Sequence, residues 1–276
     1  MKIKAPAKIN IFLNVGEERE DKFHELRTIM VKVGLCDSIT LKKNKNIKIE
    51  GMDWLKDKKN LAYRAAVELQ NYSGIKKGCL IEIEKLIPSG AGLGGGSSDA
   101  AAVLKGLNKL WDLNYKDEDL ENIGQKLGSD VNFFLYTGGG LAMGRGEKII
   151  PLKTKRELAQ KVLLIYPDIE LSTQKIYNAY PGGDLTGKEE LNTIIKNYRS
   201  GNWPDILSND LEETVFREYP VLKDIKHRLI NWGLKPLLSG SGSSIFALFS
   251  DIEKAESVKS IMDEDFGYST WILKVL

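Results

Sequence analysis

The chain has 276 residues, 42% of them hydrophobic and 28% charged, and 40 Lys plus Arg against 38 Asp plus Glu give a net charge of +2. At roughly 150 residues per domain this length suggests two domains, and the near balance of charge argues against a dedicated nucleic-acid binder, which is usually strongly basic. No apolar run approaches the roughly 20 residues of a membrane span, and the start Met1-Lys2-Ile3-Lys4 lacks a signal peptide's apolar stretch, so a cytoplasmic protein with no membrane partner is expected.

In chain order, Ile9, Ile11, Leu13 and Val15 alternate as in a half-buried strand. Residues 14–22 read as a polar loop, and 26–43 give further alternation with a break near Gly34. Asn60 is placed to cap a helix over about 61–71, since Leu61, Ala65 and Leu69 recur at spacing four. A strand around Leu80, Ile81 and Ile83 ends before Pro88, helices follow over about 97–111 and 117–128, and strands run on to about 152. The charged stretch from Lys153 to Lys161 is the best linker candidate, dividing the chain into 1–155 and 156–276. Beyond it come a strand at 162–166, helices near 173–180, 188–198 and 213–231, and then strand, Gly/Ser turn, strand, helix, strand. Ser250 and Glu253 suggest a capping box for the last helix. Runs of strands and runs of helices, without regular βαβ alternation, indicate an α+β fold.

The chemistry concentrates in one segment, Pro88-Ser89-Gly90-Ala91-Gly92-Leu93-Gly94-Gly95-Gly96-Ser97-Ser98. A strand enters it and a helix leaves it. Glycines let backbone N–H groups approach an anion closely, and the helix N-terminus adds partial positive charge. The reading is a triphosphate or pyrophosphate cradle rather than a plain turn. It is not a Walker A loop, because no Gly-Lys-Ser/Thr follows, and the GxGxxG string at Gly90, Gly92 and Gly95 lacks a Rossmann context. Lys8 and Asn10 share one face of the first strand, which taken alone reads as the solvated side of an amphipathic strand. Asp130 either caps a short helix or serves as a carboxylate beside a cation. His24, taken alone, reads as a satisfied structural residue. Ser239-Gly240-Ser241-Gly242-Ser243-Ser244 is a hairpin turn or a second wall of a phosphate site. Two cysteines, Cys36 and Cys79, and two histidines, with no CxxC or HExxH pattern, argue against a disulfide framework and a dedicated zinc or haem site.

Taken together these features resemble the GHMP kinase superfamily, whose signature loop is matched from Pro88 to Ser98. Ala7-Lys8-Ile9-Asn10, His24-Glu25-Leu26, Leu127-Gly128-Ser129-Asp130-Val131, Gly144-Arg145-Gly146-Glu147, Ser172-Thr173 with Tyr177, Asn209-Asp210-Leu211-Glu212 and Ser239-Gly240-Ser241-Gly242 extend the match along the chain. They narrow it to the branch whose acceptor is 4-diphosphocytidyl-2-C-methyl-D-erythritol. The resemblance implies a two-domain α+β fold. Its N-terminal domain is like domain 2 of ribosomal protein S5 and carries ATP-binding and catalysis; its C-terminal domain is ferredoxin-like and binds the substrate. It implies ATP as phosphoryl donor, Mg²⁺ carried with the nucleotide, and a small-molecule acceptor. The sequence shows no dedicated metal cage, its near-neutral charge and lack of a basic stripe count against nucleic acid, and no obligate protein partner is inferred. Lys8 and Asp130 take the catalytic roles, and Pro88 to Ser98 bind ATP. His24, with Phe23 and Tyr177 as stacking faces, holds a cytosine, and Asn10 and Thr173 contact the substrate's sugar or phosphates. Two segments depart from the family's usual pattern. Asp21-Lys22-Phe23-His24 replaces Asp-Gly-Tyr-His, and Asn132 stands where Pro is usual, which implies a looser turn beside Asp130.

Overall fold

The alternation of Ala7, Ile9, Ile11 and Leu13 produces a strand, β1 (Lys2–Glu18), that outruns its apolar stretch. In the computed structural model, which describes residues 1–50, 59–154 and 161–276, β1 pairs antiparallel with β2 (His24–Asn44). Residues 14–18 stay in the strand despite their polarity, because Val15 pairs with Leu26 and Glu18 with His24. The break near Gly34 is a bulge. Pro6 faces Cys36 and Ala7 faces Val33, leaving Gly34 and Leu35 over on β2.

The N-terminal sheet is completed by β3 (Lys48–Glu50), β4 (Gly78–Glu84), β5 (Gly139–Gly144) and β6 (Lys148–Leu152), in the order β3-β4-β2-β1 with β5 on β2 and β6 on β5. Against one face lie α1 (Leu61–Ser73), α2 (Gly95–Leu110), α3 (Asp117–Leu127) and the single-turn α4 (Val131–Leu135). Asn60 caps α1 as expected, its side chain accepting from Ala62 N at 2.9 Å.

The C-terminal part runs β7 (Lys161–Tyr166), α5 (Thr173–Ala179), α6 (Lys188–Ser200), β8 (Ser208–Asn209), α7 (Glu212–Glu218), α8 (Pro220–Asn231), β9 (Lys235–Leu238), β10 (Ile245–Phe249), α9 (Ile252–Glu264) and β11 (Ser269–Lys274). Its sheet has the order β11-β7-β10-β9, antiparallel throughout. Strands 4-1-3-2 in a β-α-β-β-α-β chain are the ferredoxin-like arrangement. Val162 and Leu164 of β7 pack with Ile9 and Ile11 of β1 in a core between the two sheets, while Leu163 and Ile165 face the opposite core with α7, α8 and α9. The layers are therefore helices, sheet, sheet, helices. The two-residue β8 departs from this division, pairing in parallel with β1 at Phe12 and Leu13.

Two local expectations are corrected. The single helix over 213–231 is two, broken at Tyr219. Pro220 has no N–H to continue a helix and starts a new one at its first position. The last helix is capped by Asp251, whose Oδ1 accepts from Lys254 N at 3.1 Å, rather than by a box on Ser250. The charged linker candidate falls largely on residues 155–160, outside the described residues, as does the division after residue 155. Among the described residues no helix is long and apolar enough to cross a membrane.

Lys32 is buried against α4. It donates to Tyr136 O and lies 5.3 and 5.9 Å from the Phe133 and Phe134 ring centroids. Burial, with Lys105 nearby adding to it, pulls its pKa from 10.5 to about 8. Between pH 8 and 10.5 the unfolded chain binds a proton that the folded chain has released, so stability from this group rises with pH there. The gain is on the order of 3 kcal/mol. Denaturant unfolding of wild type and Lys32→Met from pH 7 to 10 is expected to show wild type gaining on the variant by that order. Parallel curves would place the charge elsewhere.

Candidate active site

β1 brings Lys8 and Asn10 to one face, and that face is not solvated. Lys8 is 5% exposed and Asn10 3%, because the two glycine loops close over them. Lys8 Nζ donates to Asn10 Oδ1 at 2.5 Å, Asn10 Nδ2 to Thr28 Oγ1 at 2.8 Å, and Thr28 Oγ1 to Phe12 O at 2.7 Å. This chain of bonds fixes the rotamers of Lys8 and Asn10. Lys8 Nζ also lies 3.7 Å from Asp130 Oδ2. Burial lowers the Lys8 pKa, and Asp130 works against that shift. Asp130 stands at the cap position of α4 but makes no capping hydrogen bond, so its carboxylate faces the lysine and the cleft instead.

The glycine loop sits beside this pair. Lys8 N donates to Leu93 O at 2.9 Å, tying the loop to β1. Helix α2 starts at Gly95 with no side-chain cap and no acid in its first turn, leaving its N-terminal N–H groups and dipole for an anion. The second loop is at once a hairpin turn and a wall of the same site. Ser239 N donates to Ser244 O at 2.9 Å across the turn, Ser244 N to Ala91 O at 3.1 Å, and Ser239 Oγ to Gly92 O at 3.2 Å. Contact is so close that a Cβ on Gly92, whose φ is +75°, would lie 2.1 Å from Ser239 O.

At the other end, His24 Nδ1 lies 2.9 Å from Gly16 O. A carbonyl oxygen only accepts, so Nδ1 carries the hydrogen and Nε2 of the neutral ring keeps its lone pair. The ring is flanked by Tyr177 and Tyr180, each with its centroid 5.8 Å away. Phe23 is 45% exposed and carries the Arg145 guanidinium 5.0 Å from its ring centroid. Thr173 Oγ1 and Ser241 Oγ are hydrogen-bonded at 2.9 Å, joining α5 to the second loop. Burial, then Asp130, raises the Tyr177 pKa, so its hydroxyl stays protonated.

One cleft of about 1200 Å³ gathers Lys8, Asn10, Phe23, His24, Pro88 to Ser97, Asp130, Thr173 and Tyr177. Ser98 alone among the sequence-predicted residues is absent from its lining; it is 1% exposed, and its Oγ has no hydrogen-bond partner among the described residues. Sequence reasoning gave no role to Arg145, Tyr180 or Lys85. Lys85 lines the cleft beneath the loop and is bonded to Asp37 and, at 2.8 Å, to Asp99. Burial opposes the charge on Lys85, but Asp99 and Asp37 outweigh it and raise its pKa. The available signal was Asp99 itself, a carboxylate on the apolar start of α2. The whole arrangement can hold an anion between two loops and a helix end, and bring a hydroxyl to a carboxylate flanked by an ammonium.

Residues 60–138 match the GHMP kinases N terminal domain and residues 191–268 the GHMP kinases C terminal. A 4-diphosphocytidyl-2-C-methyl-D-erythritol kinase of Thermodesulfovibrio yellowstonii is 39% identical, with 99% of this chain and 97% of that protein covered. The chain belongs to the 4-diphosphocytidyl-2-C-methyl-D-erythritol kinase family. A kinase of that name from Caldicellulosiruptor bescii is also 39% identical, over 96% of each chain. The crystal structure of a 4-(cytidine 5'-diphospho)-2C-methyl-D-erythritol kinase superposes with a TM-score of 0.79 at 32% identity, covering 99% of each chain. A homoserine kinase from Cytophaga hutchinsonii, at 21% identity and a TM-score of 0.74, shares the fold.

Against this family's usual pattern, Lys22 takes a left-handed conformation, φ 66°, at a position where glycine is usual. The looser turn expected from Asn132 is not found. Asn132 is 4% exposed and donates to Glu147 O at 3.2 Å, and the Glu147 carboxylate accepts from Arg145 N at 2.9 Å. The amide thus ties the helix behind Asp130 to the turn that carries Arg145, a link a proline could not make.

Proposed function

We propose that this chain transfers the γ-phosphoryl group of ATP to the 2-hydroxyl of 4-diphosphocytidyl-2-C-methyl-D-erythritol. The observation that carries the reading is the Lys8–Asp130 pair at the junction of two glycine loops, with the His24 clamp at the far end of the same cleft. Asp130 accepts the proton of the attacking hydroxyl, whose oxygen forms the new bond to the γ-phosphorus as the bond to the β-phosphate bridging oxygen breaks. Lys8 balances charge on Asp130 and on the transferring group. Phosphoryl transfer asks mainly for positioning and electrostatics, so one carboxylate, one ammonium and a cradle suffice.

The residues present suit Mg²⁺ delivered with the nucleotide. Among the described residues no group of three or more acidic, His or Cys side chains could cage a metal, and the cleft offers the Ser97 hydroxyl and the Asp130 carboxylate. Those are hard oxygen donors, few in number, as for an ion that keeps waters and phosphate oxygens; when bound it neutralises phosphate charge. On this reading residues 1–155 form the ATP-binding and catalytic domain and 156–276 the substrate-binding domain. The protein works in the cytoplasm without nucleic acid or an obligate partner.

The test is ADP release from Mg-ATP with 4-diphosphocytidyl-2-C-methyl-D-erythritol, mevalonate, homoserine and galactose as acceptors. Turnover with the first alone is expected. Turnover with another alcohol would keep a kinase and discard the cytidine clamp. ATP binding without turnover would indicate a non-catalytic nucleotide-binding protein on the same fold.

A further inference from the structure

Asn209-Asp210-Leu211-Glu212 is not part of the cleft lining, yet it joins the pieces that are. Asn209 is 6% exposed and its side chain is nearly saturated. Nδ2 donates to Leu238 O at 2.9 Å and to Gly240 O at 2.8 Å, while Oδ1 accepts from Leu211 N at 3.0 Å. Only the amide orientation with its two hydrogens toward two carbonyls satisfies this set. The neighbouring residues anchor the other side. Asp210 Oδ2 accepts from Asn14 Nδ2 at 2.8 Å and Val15 N at 2.9 Å, and Asp210 N donates to Leu13 O at 3.0 Å. Ser208 and Asn209 also lie in register with Phe12 and Leu13 of β1. One short segment therefore holds the second glycine loop through the Asn209 side chain, and β1 through the Asp210 carboxylate and the backbone.

Between those two anchors lie Lys8 and Asn10. Gly240, at φ +58°, is pressed against them; a Cβ there would sit 3.2 Å from Lys8 Nζ and 3.1 Å from Asn10 Oδ1. The Asn209 amide thus sets the spacing between the loop and the Lys8 ammonium. The same loop reaches Gly92 through Ser239 and Thr173 through Ser241, so a shift at Gly240 moves both walls of the site relative to Lys8.

We propose that Asn209 is a positioning residue for phosphoryl transfer, its amide bracketing Leu238 and Gly240 so that the second glycine loop is held against Lys8. The proposal rests on the kinase reading for its kinetic arm and on the geometry alone for its second arm. Asn209→Asp keeps the shape and the acceptor for Leu211 N but turns two donors into acceptors facing carbonyls. Asn209→Ala removes the bracket without adding charge.

The experiment compares wild type, Asn209→Asp, Asn209→Ala, Lys8→Met and the Lys8→Met/Asn209→Ala double variant. Both single changes at 209 are expected to lower kcat 30-fold or more, with KM for the cytidylated acceptor within threefold. In the Lys8→Met background Asn209→Ala is expected to cost less than threefold, since both act on one step. Full multiplication of the two losses, or a loss confined to KM, would overturn the proposal. The second arm needs no turnover. In ¹⁵N-lysine-labelled protein, the Nζ signal assigned through Lys8→Met is expected to shift in Asn209→Ala while that of Lys85 stays. An unmoved Lys8 signal overturns the positioning role, whatever the acceptor proves to be. If Asn209→Ala does not fold, Asn209→Asp is read in its place. A wild type inert toward every acceptor would count against the kinase reading alone.

Discussion

Asp130→Asn is expected to lower kcat about 10³-fold, roughly 4 kcal/mol of barrier, while Mg-ATP binding stays within a few fold of wild type. An amide fills the same space but cannot take the proton of the attacking hydroxyl. Folding should survive, because the Asp130 side chain makes no capping hydrogen bond to α4. The helix is held from elsewhere, by Lys105 Nζ on Leu135 O at 2.7 Å, by Lys32 on Tyr136 O and by Asn132 on Glu147 O. A second readout separates this reading from a purely structural one. Burial lowers the Lys8 pKa and Asp130 opposes that shift, so removing the carboxylate lets it fall further. Activity that needs the ammonium then fails at a lower pH in the variant than in wild type as pH rises. Steady-state rates from pH 6 to 10 check this, with nucleotide binding measured separately by calorimetry. A variant that keeps a tenth of wild-type turnover would remove Asp130 from the role of base.

Lys8 and Asp130 show how far the sequence carried. Their residue types and settings could be read directly, but they stand 122 positions apart, and only the resemblance placed them together. Periodicity was enough for the core strands and for α1, where local pattern and packing agree. It failed at residues 14–18, where polar side chains belong to a strand because β2 and the Asp210 anchor satisfy their backbone. β8 could not be read at all, since a two-residue strand has no period; it exists because β1 offers an edge at Phe12 and Leu13. Lys85, Asp37 and Asp99 come from three separate stretches, and beyond the carboxylate of Asp99 in α2 no local pattern points to the buried ion cluster they form. Asn132 is a related case. A proline's loss was legible in the sequence, but the partner that its replacement finds, Glu147 O, was not.

A uracil analogue of the acceptor is expected to lose about 10²-fold in kcat/KM against the cytosine substrate, near 3 kcal/mol. The cause lies at Gly16. Its carbonyl takes the Nδ1 hydrogen of His24 at 2.9 Å, which leaves Nε2 as the acceptor nitrogen of a ring that lines the cleft. Cytosine presents a 4-amino donor to such an acceptor. Uracil presents a 4-oxo acceptor, so two lone pairs meet at a ring that packs against Tyr177 and Tyr180. The aromatic faces add affinity but no discrimination, since either base stacks equally well. Two substitutions therefore part company. His24→Ala should weaken binding of the cytosine substrate and bring the two bases within a few fold of each other. Phe23→Ala should weaken both alike and leave the ratio near 10². Competition assays with paired cytosine and uracil acceptors measure both ratios. If wild type accepts the two bases equally, the His24 edge does not read the base, and the clamp is one of stacking alone.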